Sequence, residues 1–217
     1  MHPTNRRSTR TLTGAIVVWC ASLLAYWRWW SGDLLAVGML WNLFLAAVPL
    51  GFSTLFRKTL HTQNTIMAAL AFGGWLLFFP NAPYVLTDLF HLRAPVGVPL
   101  WFLFVALLSC GATGAWLGYL SLAEVQDAVA RRWGSRAGWA LAASSLFLAA
   151  FGIYLGRFLR WNSWDVFVHP IALLKTTLRE FSQAGSFPPP IPVTLVLGGA
   201  LFLGYLVFRE RQISAEP

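Results

Sequence analysis

Trp75-Leu76-Leu77-Phe78-Phe79-Pro80-Asn81-Ala82-Pro83-Tyr84-Val85-Leu86-Thr87-Asp88-Leu89-Phe90-His91-Leu92 ends a long apolar run with two prolines, then sets out Asn81, Tyr84, Asp88 and His91 in quick succession. The run before it, Thr65–Phe79, reads as a membrane-spanning helix. It is short for a hydrocarbon core that takes ~20 helical residues. Either its flanks lie among the headgroups, or the helix is interrupted near the outer surface. Irregular backbone survives at membrane depth only where protein or a water-filled cavity satisfies its polar groups. If the interruption lies at membrane depth, the Pro80–Pro83 break is a place of functional interest.

Composition supports a membrane reading outward from this stretch. The chain is 57% hydrophobic and 11% charged, with 12 Trp and 17 Phe. Soluble domains carry about 25% charged residues. So much apolar surface is satisfied only by lipid or by other buried helices, which predicts an all-α, polytopic transmembrane bundle. The formal charge of +8 would suggest nucleic acid in a soluble protein. Here the basic residues fall mostly between apolar runs, where they set topology, so no nucleic-acid partner is expected. Cys20 and Cys110 both lie inside apolar runs and read as small core residues rather than a disulfide.

Six spans are expected, at about 11–30, 34–56, 65–79, 98–122, 138–158 and 193–208, forming one membrane domain over 11–208. Residues 1–10 and 209–217 are read as cytoplasmic tails. The basic start followed by an apolar run also resembles a signal peptide, but no small-residue cleavage site interrupts the run before Trp29-Trp30, so an uncleaved anchor is expected. Pro49 predicts a kink in the second span. Gly111, Gly114 and Gly118 give the fourth span a small-residue face for close packing. Glu124 to Arg136 reads as a polar, partly helical loop. Pro170–Phe181 puts Ile171, Leu174, Leu178 and Phe181 on one face and Lys175, Arg179 and Glu180 largely on the other, the pattern of an interfacial amphipathic helix. Pro188–Pro192 then reads as a stiff linker.

With both termini inside, the short basic segments at 6–10, 57–58, 131–136 and 209–211 become cytoplasmic, as the positive-inside rule prefers. The loops after the third and fifth spans then emerge together on the outer face. The location this predicts is a bacterial cytoplasmic (inner) membrane.

The later loop brings a second polar cluster: Arg157, Arg160, Trp161, Asn162, Trp164, Asp165 and His169. Arg157 and Arg160 would share a face at the end of the fifth span and suit a phosphate or carboxylate. With Asn81, Tyr84, Asn162 and Trp164 they form the expected substrate-binding set. Asp88 and His91, three apart, share a helical face. Asp165 and His169 would do so if helical, although Pro170 disfavours helix at His169. Asp88, His91 and Asp165 are the candidate acid/base groups. Asp88, His91, Asp165 and His169 are the candidate ligands for Zn²⁺ or another divalent ion. The plainer alternative pairs Asp88 with Arg93, Arg157 or Arg160, bracing the loops together. No phosphate-binding Gly-rich loop, H-E-x-x-H, G-x-S-x-G or paired aspartate-rich motif is present, and the spans are read as free of acidic residues, against an ion-driven transporter.

Trp75-Leu-Leu-Phe-Phe-Pro-Asn-Ala-Pro-Tyr-Val-Leu-Thr-Asp-Leu-Phe-His-Leu and Gly156-Arg-Phe-Leu-Arg-Trp-Asn-Ser-Trp-Asp-Val resemble a bacterial membrane-protein family, domain of unknown function 1361. The resemblance covers most of the chain after the first spans. It implies a multi-span bacterial membrane protein and carries no activity to transfer. Asn81, Pro83, Tyr84, Asp88, His91, Arg157, Arg160, Asn162, Trp164 and Asp165 match the family's motif positions.

Three functions follow as expectations. The first is an outward-facing site that binds an anionic lipid, a polyprenyl phosphate or an envelope partner, beside the 170–181 helix. The second is a metal- or acid/base-dependent enzyme acting on a lipid-linked substrate. The third is a small-molecule transporter using the break at Pro80–Pro83 as a discontinuous helix.

Overall fold

A computed structural model describes residues 3–92, 98–182 and 189–214 of the chain. Its helices are α1 (Pro3–Ser31), α2 (Leu35–His61), α3 (Thr65–Phe78), α4 (Asn81–Tyr84), α5 (Leu100–Trp133), α6 (Ser135–Phe158), α7 (Asp165–Val168), α8 (Pro170–Ser182) and α9 (Pro190–Ser214). A 3-10 segment, Val85–His91, follows α4 directly. Among the described residues there is no strand, so the fold is all-α. Six segments are long and apolar enough to cross a membrane: Thr11–Ser31, Leu35–His61, Thr65–Phe90, Leu100–Trp133, Ser135–Phe158 and Pro190–Gln212. The chain is a multi-pass membrane protein.

Local chemistry sets the turns. Gly32 has φ +68°, and Asp33 Oδ1 accepts from the Leu35 N–H at 2.9 Å, which starts α2. Asn64 Oδ1 accepts from the Met67 N–H at 3.1 Å, an N-cap for α3. Gly134, at φ +91°, is the whole connection between α5 and α6.

α5 is the central element and packs against α1, α2, the break, α6 and α9. Two apolar cores result. One gathers Trp75, Phe79, Leu122, Leu146, Ile153 and Tyr205. The other gathers Cys20, Leu24, Trp27, Leu43, Leu103, Leu107 and Leu117. Both cysteines are buried free thiols, and Cys20 Sγ lies 3.1 Å from Thr113 Oγ1.

The segment expected as a polar loop at Glu124–Arg136 is helical as far as Trp133, and α6 begins at Ser135, not 138. Three of its polar side chains, Glu124, Gln126 and Asp127, meet partners on neighbouring helices. Glu124 Oε2 accepts from Ser53 Oγ at 2.8 Å and Thr54 Oγ1 at 3.0 Å. The Tyr205 hydroxyl is hydrogen-bonded to Gln126 Oε1. Asp127 Oδ1 pairs with Arg209 at 2.8 Å. Glu124 and Asp127 belong to the same helix as the fourth span, beyond its expected end at 122. Helix costs little once each buried polar group has a partner.

The third span does not end in a solvent loop. α3 passes into α4 and the 3-10 segment, so Thr65–Phe90 acts as one interrupted span. Ala82, Val85, Thr87 and Asp88 are all buried. The small residues foreseen for helix packing receive this broken segment instead. A Cβ on Gly114 would meet the Ala82 carbonyl oxygen at 2.5 Å, one on Gly111 the Leu86 Cα at 3.1 Å, and one on Gly118 the Ala82 Cβ at 3.0 Å. From the other side, a Cβ on Gly152 would meet Pro80 at 2.8 Å and one on Gly156 the Tyr84 ring at 3.1 Å. Irregular backbone is thus clamped between α5 and α6, the condition under which a membrane protein tolerates it.

Candidate functional site

The two sequence clusters converge, and the joint is a sealed polar knot. Arg157, on the last turn of α6, donates from a terminal nitrogen to Asp88 Oδ1 at 2.5 Å. It also donates to Thr87 Oγ1, from Nε at 3.0 Å and from the terminal nitrogen at 2.7 Å. The Thr87 hydroxyl in turn donates to the Tyr84 carbonyl at 2.7 Å. Asn42, on α2, donates to Asp88 Oδ2 at 3.1 Å. The Arg157 guanidinium carbon lies 4.5 Å from the centroid of the Tyr84 ring, a cation–π contact. Side-chain exposure is 10% for Arg157 and 2% for Asp88. The pair is buried, hydrogen-bonded and shared by three elements, the arrangement in which removing one partner strands a charge.

Arg157 and Arg160 do not share a face, contrary to the sequence reading. α6 ends at Phe158, and Arg160 adopts φ +59°. The Trp161 N–H then reaches back to the Leu155 carbonyl at 3.1 Å. A left-handed turn at a non-glycine residue is uncommon and costs roughly 1–2 kcal/mol. It swings Arg160 away from the knot and onto the rim of a separate cleft.

That cleft has a volume of about 640 Å³ and lies between α2, α3, the break, α6 and the 160–166 loop. Leu45, Leu76, Leu77, Leu148, Phe151 and Leu155 form its apolar walls, and Asn42, Asn81, Tyr84, Arg160, Trp161, Asn162, Ser163 and Trp164 line the remainder. Among the described residues no Asp or Glu contributes to this lining. Among the described residues Arg160 has no acidic partner. The Trp161 Nε1–H is buried and has no hydrogen-bond partner among the described residues. Asn81 donates to the Phe78 carbonyl and to Ser163 Oγ, each at 3.0 Å, and so ties the break to the 160–166 loop. α8 stands beside the cleft: Leu173 lines it, and Phe181 packs on Phe151 with centroids 5.8 Å apart. Ile171, Leu174, Leu178 and Phe181 are exposed along α8, as the amphipathic pattern requires.

The acid/base and metal candidates are not gathered. Among the described residues no three His, Cys, Asp or Glu side chains come together. Asp88 is engaged by Arg157 and Asn42. Asp165 Oδ2 accepts from the Asn162 N–H at 2.6 Å and so closes its own turn. His169, with φ −134°, stands outside the short α7 helix, so it does not share a helical face with Asp165. His91 ends the 3-10 segment, and its side chain lies outside the described residues, as does Arg93. Of the expected binding set, Asn81, Tyr84, Arg160, Asn162 and Trp164 line the cleft and Arg157 does not. Sequence reading missed Asn42 as a partner of Asp88 and Thr87 as a partner of Arg157; a lone Asn in the second span was the available signal.

A family model described as protein of unknown function (DUF1361) matches residues 41–201. No curated protein and no solved structure matches the chain.

Proposed function

We propose, for a chain that belongs to the DUF1361 family, that the cleft at the break binds the anionic headgroup of a lipid-like molecule. The host would be a bacterial inner membrane, with both termini cytoplasmic and the cleft facing outward. The carrying observation is the lining itself: donors and one arginine on the rim, apolar walls below, and no carboxylate. Arg160 would take phosphate oxygens, as a planar guanidinium does well. Trp161 lines the same cleft, and its buried Nε1–H has no hydrogen-bond partner among the described residues. The walls would take the first segments of an acyl or prenyl chain, and α8 would rest in the interface beside it.

Binding fits this geometry better than acid/base chemistry, because both candidate carboxylates already hold the structure together. Asp88 is inside the knot, and Asp165 caps a turn.

Native mass spectrometry of gently solubilised protein tests the reading. Wild type should retain an anionic lipid, and Arg160→Gln should retain one fewer per protein while folding normally. Arg160→Gly, which relieves the left-handed strain, should do the same. Separate additions of phosphatidylglycerol, a polyprenyl phosphate and inorganic phosphate identify the source of the anion. Equal lipid retention in wild type and both variants would end the proposal.

A further inference from the structure

α3 and α6 begin at the same end of the bundle, opposite the break, and they do not pack closely there. Between their first turns and the ends of α2 and α5 lies a second cleft of about 680 Å³. Phe56, Leu60, Phe72 and Leu141 form its apolar part, Thr59, Gln63, Asn64 and Thr65 its uncharged polar part, and Arg132 and Trp133 also line it. Arg132 and Trp133 are exposed, and the Arg132 guanidinium carbon lies 5.7 Å from the centroid of the Trp133 ring. An Arg beside a Trp at the end of a span marks headgroup depth.

Charge identifies the occupant. The two stretches that frame this cleft, 58–65 and 129–141, contain Lys58, His61, Arg131, Arg132 and Arg136 and no Asp or Glu. The nearest carboxylates along α5, Glu124 and Asp127, line a different cavity and are bound to Ser53, Thr54 and Arg209. They do not neutralise the collar at this edge. A basic collar above an apolar groove complements a molecule with a negative head and a hydrocarbon chain.

We propose that this second cleft is a site for an anionic glycerophospholipid of the leaflet opposite to the break, with Arg132 contacting the phosphate and the Phe72–Leu141 groove holding an acyl chain. The site is independent of the cleft at the break. It requires only that the six helices cross a bilayer.

The test measures binding of phosphatidylglycerol and, separately, phosphatidylcholine to protein in neutral detergent, by native mass spectrometry. Wild type, Arg132→Gln, Leu141→Trp and Arg160→Gln are compared. Wild type should favour phosphatidylglycerol. Arg132→Gln should weaken that binding roughly tenfold, the loss expected for one charge-assisted contact, while phosphatidylcholine binding stays as it was. Leu141→Trp, which fills the groove and leaves every charge in place, should reduce both lipids. Arg160→Gln should leave the Arg132-dependent phosphatidylglycerol binding intact, so failure here and failure at the break are separable. Undiminished phosphatidylglycerol binding in Arg132→Gln would overturn the proposal. So would equal binding of both lipids by wild type, or displacement of the bound lipid by glycerol phosphate alone.

Discussion

Arg157 and Arg160 are three residues apart, yet the regions they serve differ in kind. Arg157 is sealed into a knot with Asp88, Thr87 and Asn42. Arg160 stands on the rim of an open cleft beside Trp161, whose Nε1–H has no partner among the described residues. Both regions are built from the same two stretches of chain, and the left-handed turn at Arg160 separates them. Polarity near a membrane face is therefore not one property. A satisfied, buried charge holds the fold, and an unsatisfied, accessible one is available for a ligand.

The comparison breaks most readily at the knot. Asp88→Ala should destabilise by about 3–5 kcal/mol, because it leaves a buried guanidinium without its counter-charge. It should be read as a lower thermal midpoint and a lower yield of folded protein. The Asp88→Ala and Arg157→Ala cycle should show a coupling of about 0.5–3 kcal/mol, whereas Asp88→Ala with Arg160→Ala should be additive. Coupling of Asp88 to Arg160 instead would show that the two regions are not separate.

Gly114→Ala comes next. Its methyl would enter the space of the Ala82 carbonyl at 2.5 Å, and overpacking of this kind costs about 1–3 kcal/mol. Gly73, with nothing near its position, supplies the control: Gly73→Ala should stabilise slightly, by up to about 1 kcal/mol. Equal effects at both positions would remove the clamp as the explanation for the buried break.

Smallest in stability is the cleft. Arg160→Gln should change folding by less than about 0.5 kcal/mol, as exposed substitutions usually do, while lipid retention falls. A large stability loss in Arg160→Gln would make Arg160 a brace like its neighbour.

Much of this was legible in the sequence. The apolar runs, their charge-poor composition and the two prolines after Phe79 led to six spans and to a break after the third, but the segment beyond the break was read as an outer loop and is buried. The meeting of the break with the stretch after the fifth span was one of the alternatives, as a pairing of Asp88 with Arg93, Arg157 or Arg160. Three things were not. Which arginine meets Asp88 depends on where α6 ends, and that end is a left-handed Arg160, which no residue preference announces. The continuation of α5 through Glu124–Trp133 was hidden because its polar residues look like a loop until Ser53, Thr54, Tyr205 and Arg209 arrive from distant helices. The glycines of α5 and α6 signalled close packing, but not that the packed object was a broken segment rather than another helix.

The most direct test is the thermal midpoint of Arg157→Gln and Arg160→Gln, each measured with and without added phosphatidylglycerol or polyprenyl phosphate. The account predicts opposite behaviour. Arg157→Gln should start several degrees lower and keep the lipid-induced rise of wild type. Arg160→Gln should start at the wild-type midpoint and lose the part of the rise that does not depend on Arg132. A preserved rise in Arg160→Gln, or a rise lost only in Arg157→Gln, would contradict the division between a structural knot and a binding cleft.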